Sequence, residues 1–397
     1  MTLSLALIGC GVMGRRHVLG LKALRDVGRQ PFALAAVCDP VAETAAGVAD
    51  LAEGLLGRRP EVFPDLASLT AAMTVDAVDI STAPNFHAAI GEEAFAGGAH
   101  VMVEKPIALT ISQGRGLVAA GECANRHLAV AENYRRDPIN RLAKAAIDGG
   151  LIGRPFLIVQ SSSGGGEKVI ITPWRHRKRW GGIVVDMGVH YTDLFEYFLG
   201  PIDAVGGMGA VVDTTRTDAD GIAHDVDAED LSVGMARFRS GALENWLLSL
   251  AGRGEPHFSR VVYWTGGSLT IPADRTGHPL RLTQRRNGED VAVSDAELLE
   301  LLPGFALDGA TAALFGGERL TSYVQPWAAT DAALLAIELD DFAGAIGDNR
   351  PPEVTGADGL RSLALVYGFL EADRLGRTVT TDELLTSDKL PYQDELA

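Results

Sequence analysis

Three glycines with the spacing Gly-x-Gly-x-x-Gly lie between residues 9 and 14, directly after the first short apolar stretch. In this pattern the first glycine permits a tight turn and the second lets backbone N–H groups approach a pyrophosphate. The third lets the next helix lie close to the sheet, and the start of that helix favours bound phosphates. We therefore predict contacts to a dinucleotide from Gly9, Gly11, Val12, Met13 and Gly14. The alternative is that these glycines serve only a turn.

A carboxylate, Asp39, ends the second apolar stretch. An acidic side chain at this position accepts hydrogen bonds from the ribose hydroxyls and repels a 2′-phosphate, which favours NAD over NADP as the cofactor. The spacing from the glycines to Asp39 is slightly longer than usual. The alternative role of Asp39 is to cap the next helix.

Polar residues follow the apolar stretch that ends at Ile80, at Ser81, Thr82, Asn85 and His87. Because the carboxyl ends of parallel strands face the cofactor crevice, we predict that these residues contact NAD. Helix capping explains Ser81, Thr82 and Asn85 equally well. His87 lies inside the next predicted helix, where the alternative is a structural role.

The apolar stretch His100–Val103 is followed by Glu104-Lys105-Pro106. A lysine at that edge would lie beside the nicotinamide and donate a hydrogen bond to a reacting oxygen, with its acidity tuned by burial and by neighbouring charge. We predict that Glu104 and Lys105 contact the cofactor and that Lys105 is catalytic. A solvated surface lysine is the alternative, but the exit of a central buried strand is a poor place for one.

The second half of the chain contains Asp186, His190 and Asp193. In a helix, spacings of four and three residues place these side chains on one face. A histidine with a carboxylate one turn away is an oriented general base near physiological pH. Gly188 lowers the helix propensity of this segment and indicates that another group approaches closely. A buried helix with a hydrogen-bonded histidine is the alternative.

A basic run, Arg175-His176-Arg177-Lys178-Arg179, precedes this segment in a chain whose net charge is −17. The planar fork of arginine makes two-point contacts with carboxylate, sulfonate or phosphate oxygens. We predict that Arg175, His176 and Arg177 bind the substrate, which would then be anionic. The alternatives are that the run binds the pyrophosphate or pairs with acidic neighbours across a subunit interface.

Short apolar stretches alternate with helical patterns over the first 130 residues, which predicts a parallel, doubly wound sheet. The predicted strands are Leu3–Ile8, Phe32–Val37, Val75–Ile80, His100–Val103 and Leu128–Ala131. The predicted helices are Met13–Val27, Val41–Leu56, Ala83–Ala96 and Ile111–Arg126.

The pattern changes after Glu132 to a helix followed by successive strands separated by turns, which predicts a mostly antiparallel second domain. We therefore place domains at 1–132 and 133–397, with 295–326 as an ambiguous insertion or lid. The predicted strands are Pro155–Ser161, Leu231–Phe238, Ala242–Leu250, Phe258–Trp264, Ser268–Ile271 and Leu280–Gln284. The predicted helices are Ile139–Ile147, Thr330–Ile346 and Gly359–Leu375.

Composition narrows the function classes. The 397 residues are 47% hydrophobic, which suits two globular domains. A net charge of −17 argues against sequence-independent nucleic-acid binding. No apolar run reaches the roughly 18 residues of a membrane span, and the N-terminus lacks the basic region of a signal peptide. Three cysteines fit a reducing cytoplasm. No metal site is predicted.

These motifs together resemble the Gfo/Idh/MocA family, named for glucose–fructose oxidoreductase and inositol dehydrogenase. The marks of the resemblance are Gly9-x-Gly11-x-x-Gly14, Glu104-Lys105-Pro106, Asn133-Tyr134-Arg135 and Asp186-x-Gly188-x-His190. The resemblance implies an N-terminal Rossmann domain and a C-terminal α/β domain with an open, mostly antiparallel sheet. The face of that sheet commonly forms dimers and tetramers in the family, so a homodimer or homotetramer is expected.

The resemblance also implies an activity: NAD-dependent transfer of a hydride between the nicotinamide and a ring carbinol carbon of a sugar, glycoside or polyol. His190 would take the hydroxyl proton, Lys105 would hold the oxygen, and Asp186 would orient the substrate or His190. Tyr134, Arg135 and Asp193 are further predicted substrate contacts.

Two other functions use the same residues. Some relatives are redox-neutral NAD-dependent glycosidases, in which transient oxidation at C3 acidifies the C2 proton and the aglycone is eliminated. A non-catalytic NAD-sensing regulator is disfavoured by the intact residue set.

Overall fold

The structure is a computed structural model that describes residues 2–151 and 153–396. The chain divides into two units. Unit 1 comprises the chain up to Arg136 together with Asp308–Glu318 and Gln325–Leu360, and unit 2 comprises the remainder. The domain boundary predicted between 132 and 133 therefore lies at Arg136, and two later segments that were assigned to the C-terminal domain belong to unit 1.

Strands and helices are numbered in chain order. The strands are β1 (Leu3–Ile8), β2 (Phe32–Cys38), β3 (Glu61–Phe63), β4 (Ala77–Ile80), β5 (His100–Glu104), β6 (Leu128–Ala131), β7 (Pro155–Gly165), β8 (Ile202–Ala210), β9 (Thr215–Thr217), β10 (Ala223–Asp225), β11 (Leu231–Phe238), β12 (Leu243–Gly252), β13 (His257–Trp264), β14 (Gly267–Thr270), β15 (Arg281–Arg286), β16 (Glu289–Val293) and β17 (Val379–Thr380). The helices are α1 (Val12–Asp26), α2 (Ala42–Leu56), α3 (Leu66–Ala72), α4 (Pro84–Ala96), α5 (Ile111–Ala124), α6 (Pro138–Asp148), α7 (Ile183–Leu199), α8 (Asp295–Leu301), α9 (Gly309–Phe315), α10 (Trp327–Asp348), α11 (Gly356–Leu375) and α12 (Thr381–Thr386).

Unit 1 is built on a six-stranded sheet in the order β3-β2-β1-β4-β5-β6. All of its strand pairs are parallel. The strand order reverses between β1 and β4, and a doubly wound sheet binds ligands at the carboxyl ends of the strands beside such a point. α10 lies against α1, and its Leu339 and Phe342 join the apolar core formed by β1, β2, α1 and α2. The predicted fold class is confirmed.

Unit 2 is built on a nine-stranded sheet in the order β16-β15-β14-β13-β7-β12-β11-β8-β17. Its pairs are antiparallel except for β12 with β7. One face is covered by helices that meet at Trp246, which is fully buried. Phe195 of α7 contacts the Trp246 ring edge-on at 6.0 Å, and Phe369 of α11 stacks on it at 5.1 Å. The predicted mostly antiparallel sheet is thus confirmed.

Some elements escaped prediction. β3 has three residues, neither β3 nor β16 contains a buried side chain, and neither has an apolar run longer than three residues. β8 contains three glycines that obscure its pattern, and a Cβ at Gly207 would lie 2.9 Å from the Phe369 Cβ. The glycine is therefore required by the close approach of α11.

The stretch from 295 to 326 is not one long insertion or lid. It contains α8, which belongs to unit 2, and α9, which belongs to unit 1. Within unit 2 the Arg319 guanidinium donates to the carbonyl oxygens of Leu299, Leu302, Pro303 and Phe305, which secures the chain after α8. Across the part of the chain that the structure describes, no helix is both long and apolar enough to cross a membrane.

Candidate active site

The glycine turn between β1 and α1 has the geometry that its sequence predicts. Gly9 has φ +95°, in the left-handed region that favours glycine, and a Cβ there would lie 2.9 Å from the Ser81 carbonyl carbon. A Cβ at Gly14 would lie 2.1 Å from the Gly9 carbonyl oxygen, so only glycine lets α1 begin this close to β1. A Cβ at Gly11 would meet no heavy atom within 4 Å. Gly11 therefore leaves open space at the start of α1, as a pyrophosphate requires.

Asp39 lies beside this turn at the end of β2. Its Oδ2 accepts a hydrogen bond from the Cys10 amide at 2.9 Å, and its Oδ1 accepts one from the Val41 amide at 2.9 Å. The side chain is partly exposed, and each carboxylate oxygen retains a second lone pair. The carboxylate is thus fixed against the dinucleotide-binding turn and retains capacity for ribose hydroxyls, which fits NAD.

Of the polar residues after β4, two are hydrogen-bonded to the backbone and one has a buried oxygen without a partner among the described residues. The Ser81 hydroxyl is buried and donates to the Gly9 carbonyl oxygen at 2.7 Å, so it supports the glycine turn. The Thr82 hydroxyl donates to the Ala83 carbonyl oxygen at 3.4 Å. Asn85, in the first turn of α4, has a buried Oδ1 without a hydrogen-bond partner among the described residues. A buried acceptor of this kind calls for a donor, and a bound cofactor would supply one.

His87 is fully buried within unit 1. Its Nδ1 lies 2.9 Å from the Pro106 carbonyl oxygen and its Nε2 lies 3.0 Å from the Thr82 carbonyl oxygen. Burial lowers the pKa of this imidazole below its usual value. The ring ties the segment after β4 to the segment after β5, and this placement fits the structural alternative better than direct contact with a cofactor.

A buried ionic cluster that the sequence analysis missed lies under the end of β5. His17 of α1 is 1% exposed, and its Nδ1 lies 2.7 Å from Oδ2 of Asp79 in β4. Its Nε2 lies 3.0 Å from Oε1 of Glu104. The available signal was Asp79 itself, because an acidic residue inside a buried strand requires a partner.

The charges in this cluster stabilise one another. Burial disfavours the His17 imidazolium, but the charges and hydrogen bonds of Asp79 and Glu104 outweigh it and raise the pKa of His17 well above its usual value. Burial also disfavours ionised Glu104, but His17, and then Lys105, hold the pKa of this carboxyl below its usual range. At neutral pH the imidazolium form of His17 and the ionised form of Glu104 are therefore favoured.

Two further acids are buried in unit 1. Burial raises the pKa of Glu132 to about 7, against the opposing effects of the Tyr134 amide, Lys105 and Arg135. Glu338 of α10 is 1% exposed, and neither of its carboxyl oxygens has a hydrogen-bond partner among the described residues. Burial raises the pKa of Glu338 well above its usual value, which favours the neutral carboxyl.

Lys105 directly follows β5 and is partly exposed, and its backbone N–H donates to Oε2 of Glu104 at 3.1 Å. Tyr134 and Arg135 lie in a short 3₁₀ helix shortly after β6, and both are buried. The Arg135 guanidinium donates to the Glu353 carbonyl oxygen at 3.2 Å. These predicted residues therefore lie after neighbouring strands, at the carboxyl edge of the sheet.

α7 of unit 2 carries the other predicted catalytic residues. Gly182, just before the helix, has φ +82°, and a Cβ there would lie 2.9 Å from the Ala228 Cβ. A Cβ at Gly188 would lie 2.4 Å from Cγ2 of Val366 in α11. The close approach that Gly188 indicates is thus an approach of α11.

Asp186, His190 and Asp193 are all buried, with 5%, 3% and 2% of their surfaces exposed. Asp186 Oδ2 accepts from Nε of Arg175 at 3.1 Å. Asp193 Oδ1 accepts from the hydroxyl of Ser362 in α11 at 3.4 Å. Asp186 thus has a charged partner from the preceding loop, whereas Asp193, a predicted substrate contact, is placed against α11.

Several residues of the basic run have partners within the protein, and the substrate contacts predicted for His176 and Arg177 remain predictions. Arg177 pairs with Asp227 at 2.8 Å, and Lys178 pairs with Glu395. His176 is fully buried, and its Nε2 accepts from the Ile170 amide at 2.9 Å.

His176 is uncharged at neutral pH. Burial, reinforced by the nearby Arg216 charge, lowers the pKa of His176 to about 4. The acidic partners of the basic run 175–179 belong to the same unit of the same chain. The alternative considered from the sequence was pairing with acidic residues across a subunit interface.

Two family models match the chain. The oxidoreductase family model with an NAD-binding Rossmann fold matches residues 3–132, and the Gfo/Idh/MocA C-terminal domain model matches residues 140–270. Together they cover well over half of the sequence. The chain belongs to the Gfo/Idh/MocA family. The family assignment and the NAD cofactor predicted from the motifs are confirmed.

Two relatives of the chain are named as dehydrogenases of sugars or sugar derivatives. The chain is 28% identical to D-apiose dehydrogenase of Paraburkholderia graminis over 385 residues, covering 96% of this chain and 90% of the relative. It is 28% identical to levoglucosan dehydrogenase of Pseudarthrobacter phenanthrenivorans over 291 residues, covering 69% of this chain and 74% of the relative. The predicted class, an NAD-dependent sugar or polyol dehydrogenase, is confirmed at this level.

A solved structure of levoglucosan dehydrogenase in complex with NADH shares the fold of this Gfo/Idh/MocA chain. The TM-score is 0.77 at 23% identity, and the match covers 96% of this chain and 99% of the other.

Proposed function

We propose that this protein oxidises a ring carbinol carbon of a neutral sugar, glycoside or polyol by transfer of a hydride to NAD. The observation that carries the proposal is the position of Lys105, directly after β5 on the edge of the sheet where the glycine turn and Asp39 lie. The named activities of the relatives, on apiose and levoglucosan, support a carbohydrate substrate.

The roles of the residues follow from their chemistry. When bound, NAD supplies the hydride acceptor. His190 takes the proton of the reacting hydroxyl as a general base. Lys105 donates a hydrogen bond to the same oxygen, and Asp186 orients the base or the substrate. Asp39, the glycine turn and Asn85 hold the cofactor.

A neutral substrate is favoured by the state of the basic run. Arg175 is 8% exposed and is paired with Asp186, and its Nη1 donates to the Thr172 hydroxyl at 2.6 Å. Its charge is therefore already compensated inside the protein. Arg177 is likewise paired with an acidic side chain, and His176 is uncharged, so the residues first assigned to an anionic group are committed elsewhere.

A substrate screen tests the reaction. Neutral sugars, sugar acids, polyols and chromogenic glycosides are incubated with NAD, and both nicotinamide reduction and aglycone release are followed. We expect nicotinamide reduction with a neutral carbohydrate and no aglycone release. Aglycone release without net nicotinamide reduction would instead establish the redox-neutral glycosidase.

Two variants test the catalytic roles. Lys105→Ala and His190→Ala should each lower kcat by about 100-fold or more, the usual range for a positioned acid–base group. His190→Ala should change the Kd for NAD far less than it changes kcat. Near-normal turnover in the His190→Ala variant would place the base elsewhere.

The open face of the unit 2 sheet supports a homo-oligomer. Met208 is 71% exposed, Met235 68%, Leu243 44% and Val233 42%, and these apolar side chains project from neighbouring strands. Two copies of a chain with a net charge of −17 repel one another through their charged surfaces, so an apolar face is the surface on which they can meet. We therefore propose a second copy of this chain, docked through the apolar sheet face, as the partner.

Light scattering coupled to size exclusion tests this assembly. The wild-type protein should be a dimer or tetramer, and the Met208→Asp/Met235→Asp double variant should dissociate. Val324, which is fully exposed and lies outside the sheet, provides the matched control Val324→Asp. A monomeric wild-type protein at micromolar concentration would contradict the proposal.

The cytoplasm is the proposed location. Cys10, Cys38 and Cys123 are free thiols, which suits a reducing compartment. Burial raises the pKa of both Cys10 and Cys38 to about 12, so these two side chains remain protonated thiols with low reactivity.

A further inference from the structure

The buried cluster of His17, Asp79 and Glu104 places three charges in the core of unit 1. The three residues come from α1, β4 and the end of β5, and each is at most 5% exposed. Removing ions from water is unfavourable, and well-packed apolar residues often replace buried ion pairs without loss of stability. The fold alone does not require this cluster, and one of its members adjoins Lys105.

We propose that His17 is a positioning residue of the active site, which fixes the Glu104 carboxylate as the support of Lys105. The inference rests on the catalytic role proposed for Lys105. Glu104 uses its two oxygens for two partners: Oε1 lies 3.0 Å from His17 Nε2, and Oε2 accepts from the Lys105 backbone N–H at 3.1 Å. Glu104 therefore connects the imidazole to the backbone from which the Lys105 side chain extends.

The hydrogen bonds of His17 define its orientation. Asp79 Oδ2 lies 2.7 Å from Nδ1, on the side of the ring opposite Glu104. Both ring nitrogens donate when the imidazole is protonated, and each then has a carboxylate acceptor. Asp79 consequently holds the ring, and the ring holds Glu104, in the same way that a carboxylate orients a histidine in other polar networks.

The charges around the cluster make His17 the cation on which Glu104 depends. Arg16 and Lys105 also favour ionised Glu104, but His17 acts on it most strongly among the charged neighbours. Burial raises the pKa of Glu132 to about 7 and that of Glu338 well above its usual value, which reduces the negative charge that these two acids add.

Arg136 is paired with carboxylates outside this cluster. Arg136 pairs with Glu353 at 3.0 Å and with Asp341 at 3.3 Å. Loss of the imidazolium would therefore leave Asp79 and Glu104 as two acids in a buried space without their shared cation. Glu104 would then take up a proton more readily and would no longer attract the Lys105 ammonium.

Two substitutions separate the hydrogen bond to Glu104 from the hydrogen bond to Asp79. The side-chain amide of glutamine reaches the position of Nε2, whereas that of asparagine reaches the position of Nδ1. His17→Gln thus retains a donor for Glu104, and His17→Asn retains a donor for Asp79 only. Both variants remove the positive charge, so they form a matched pair.

The expected result is a split between the two variants. His17→Asn should lower kcat by about 10- to 100-fold, the cost of a modest displacement of a catalytic group, with KM and the Kd for NAD within about threefold of wild type. His17→Gln should recover most of that loss. The acid limb of the kcat–pH profile should move up by about one pH unit in both variants, because both remove the cation beside Glu104, and the recovery of kcat in His17→Gln is therefore measured above that limb.

Equal losses of kcat in the two variants, an unchanged kcat in His17→Asn, or an unmoved pH profile would overturn the proposal and leave His17 with a structural role. If His17→Asn does not fold, Glu104→Gln with His17 intact replaces it and should lower kcat about tenfold at unchanged KM. Lys105→Ala is measured alongside. Normal turnover of Lys105→Ala would refute the proposed function, whereas an inactive Lys105→Ala with an unaffected His17→Asn would refute only this inference.

Discussion

Replacing Arg175 with methionine removes the guanidinium that donates from Nε to Oδ2 of Asp186, while a long apolar side chain remains beside Trp174. The side chains of the pair are 10% and 6% exposed. If Arg175 serves to orient Asp186, the substitution should lower kcat on every substrate, neutral sugars included. If Arg175 binds an anionic group of the substrate, it should raise KM for sugar acids alone.

The structure provides a matched control in the same run. Arg177 pairs with Asp227 at 2.8 Å, but these side chains are 34% and 48% exposed. Removing one partner of a buried pair costs about 3–5 kcal/mol, whereas an exposed pair contributes about 0–1 kcal/mol. In a domain of this size 1 kcal/mol shifts Tm by about 2–4 °C. We expect Arg175→Met to lower Tm by at least about 6 °C and Arg177→Met by less than about 4 °C.

The assay combines thermal unfolding with steady-state kinetics on one neutral sugar and one sugar acid, at a temperature where both variants are folded. Fluorescence titration gives the Kd for NAD, which neither substitution should alter. An Arg175→Met protein with wild-type Tm and wild-type kcat on the neutral sugar would refute the assignment of Arg175 to Asp186. A rise in KM for the sugar acid alone would instead support the hypothesis that Arg175 binds an anionic group of the substrate.

Three further predictions follow from the geometry. Asp39→Ala should weaken NAD binding and relax the preference over NADP, and tighter NADP binding by the wild-type protein in a fluorescence titration would contradict the assignment of Asp39. Gly14→Ala should disrupt the turn, because its Cβ would lie 2.1 Å from the Gly9 carbonyl oxygen. Gly11→Ala should fold normally and weaken only NAD binding, since a Cβ there meets no heavy atom within 4 Å. Melting curves with and without NAD distinguish the two outcomes. Because the pKa of His176 falls to about 4 on folding, the unfolded chain alone binds a proton between pH 6.5 and pH 4, so stability is lost as the pH falls through this window. His176→Gln should remove about 2 kcal/mol of that loss between pH 7 and pH 5, measured as a smaller drop in Tm over this range.

The cofactor-binding half of the fold was predictable because its signals are local. Gly9, Gly11 and Gly14 lie within six positions, and the strands that bring Asp39 and Lys105 to the same edge are continuous apolar runs. Parallel strands in a doubly wound sheet end at one edge, so the order of motifs along the chain already fixes their placement. The second sheet was harder to predict, because glycines in β8 serve close packing against α11 and interrupt the strand pattern.

Long-range partners are what the sequence does not reveal. Asp79 and Glu104 lie 62 and 87 positions from His17 along the chain. No spacing rule connects residues so far apart, and His17 occupies an ordinary position on an amphipathic helix. The local clue is the presence of an acid in a buried strand, which predicts that a partner exists but not which residue it is.

The partners of the basic run were not predictable from the sequence, for a related reason. Five adjacent residues, 175–179, were treated as one cationic surface, yet neighbouring side chains in a folded chain point in different directions and meet different partners. Arg175 pairs with Asp186, 11 positions away, and Lys178 with Glu395, 217 positions away. The chain has 52 acidic and 35 basic side chains, so a folded basic residue meets a carboxylate more readily than it remains unpaired. Within an acidic protein, a run of arginines and lysines therefore indicates internal pairing before it indicates an anionic ligand.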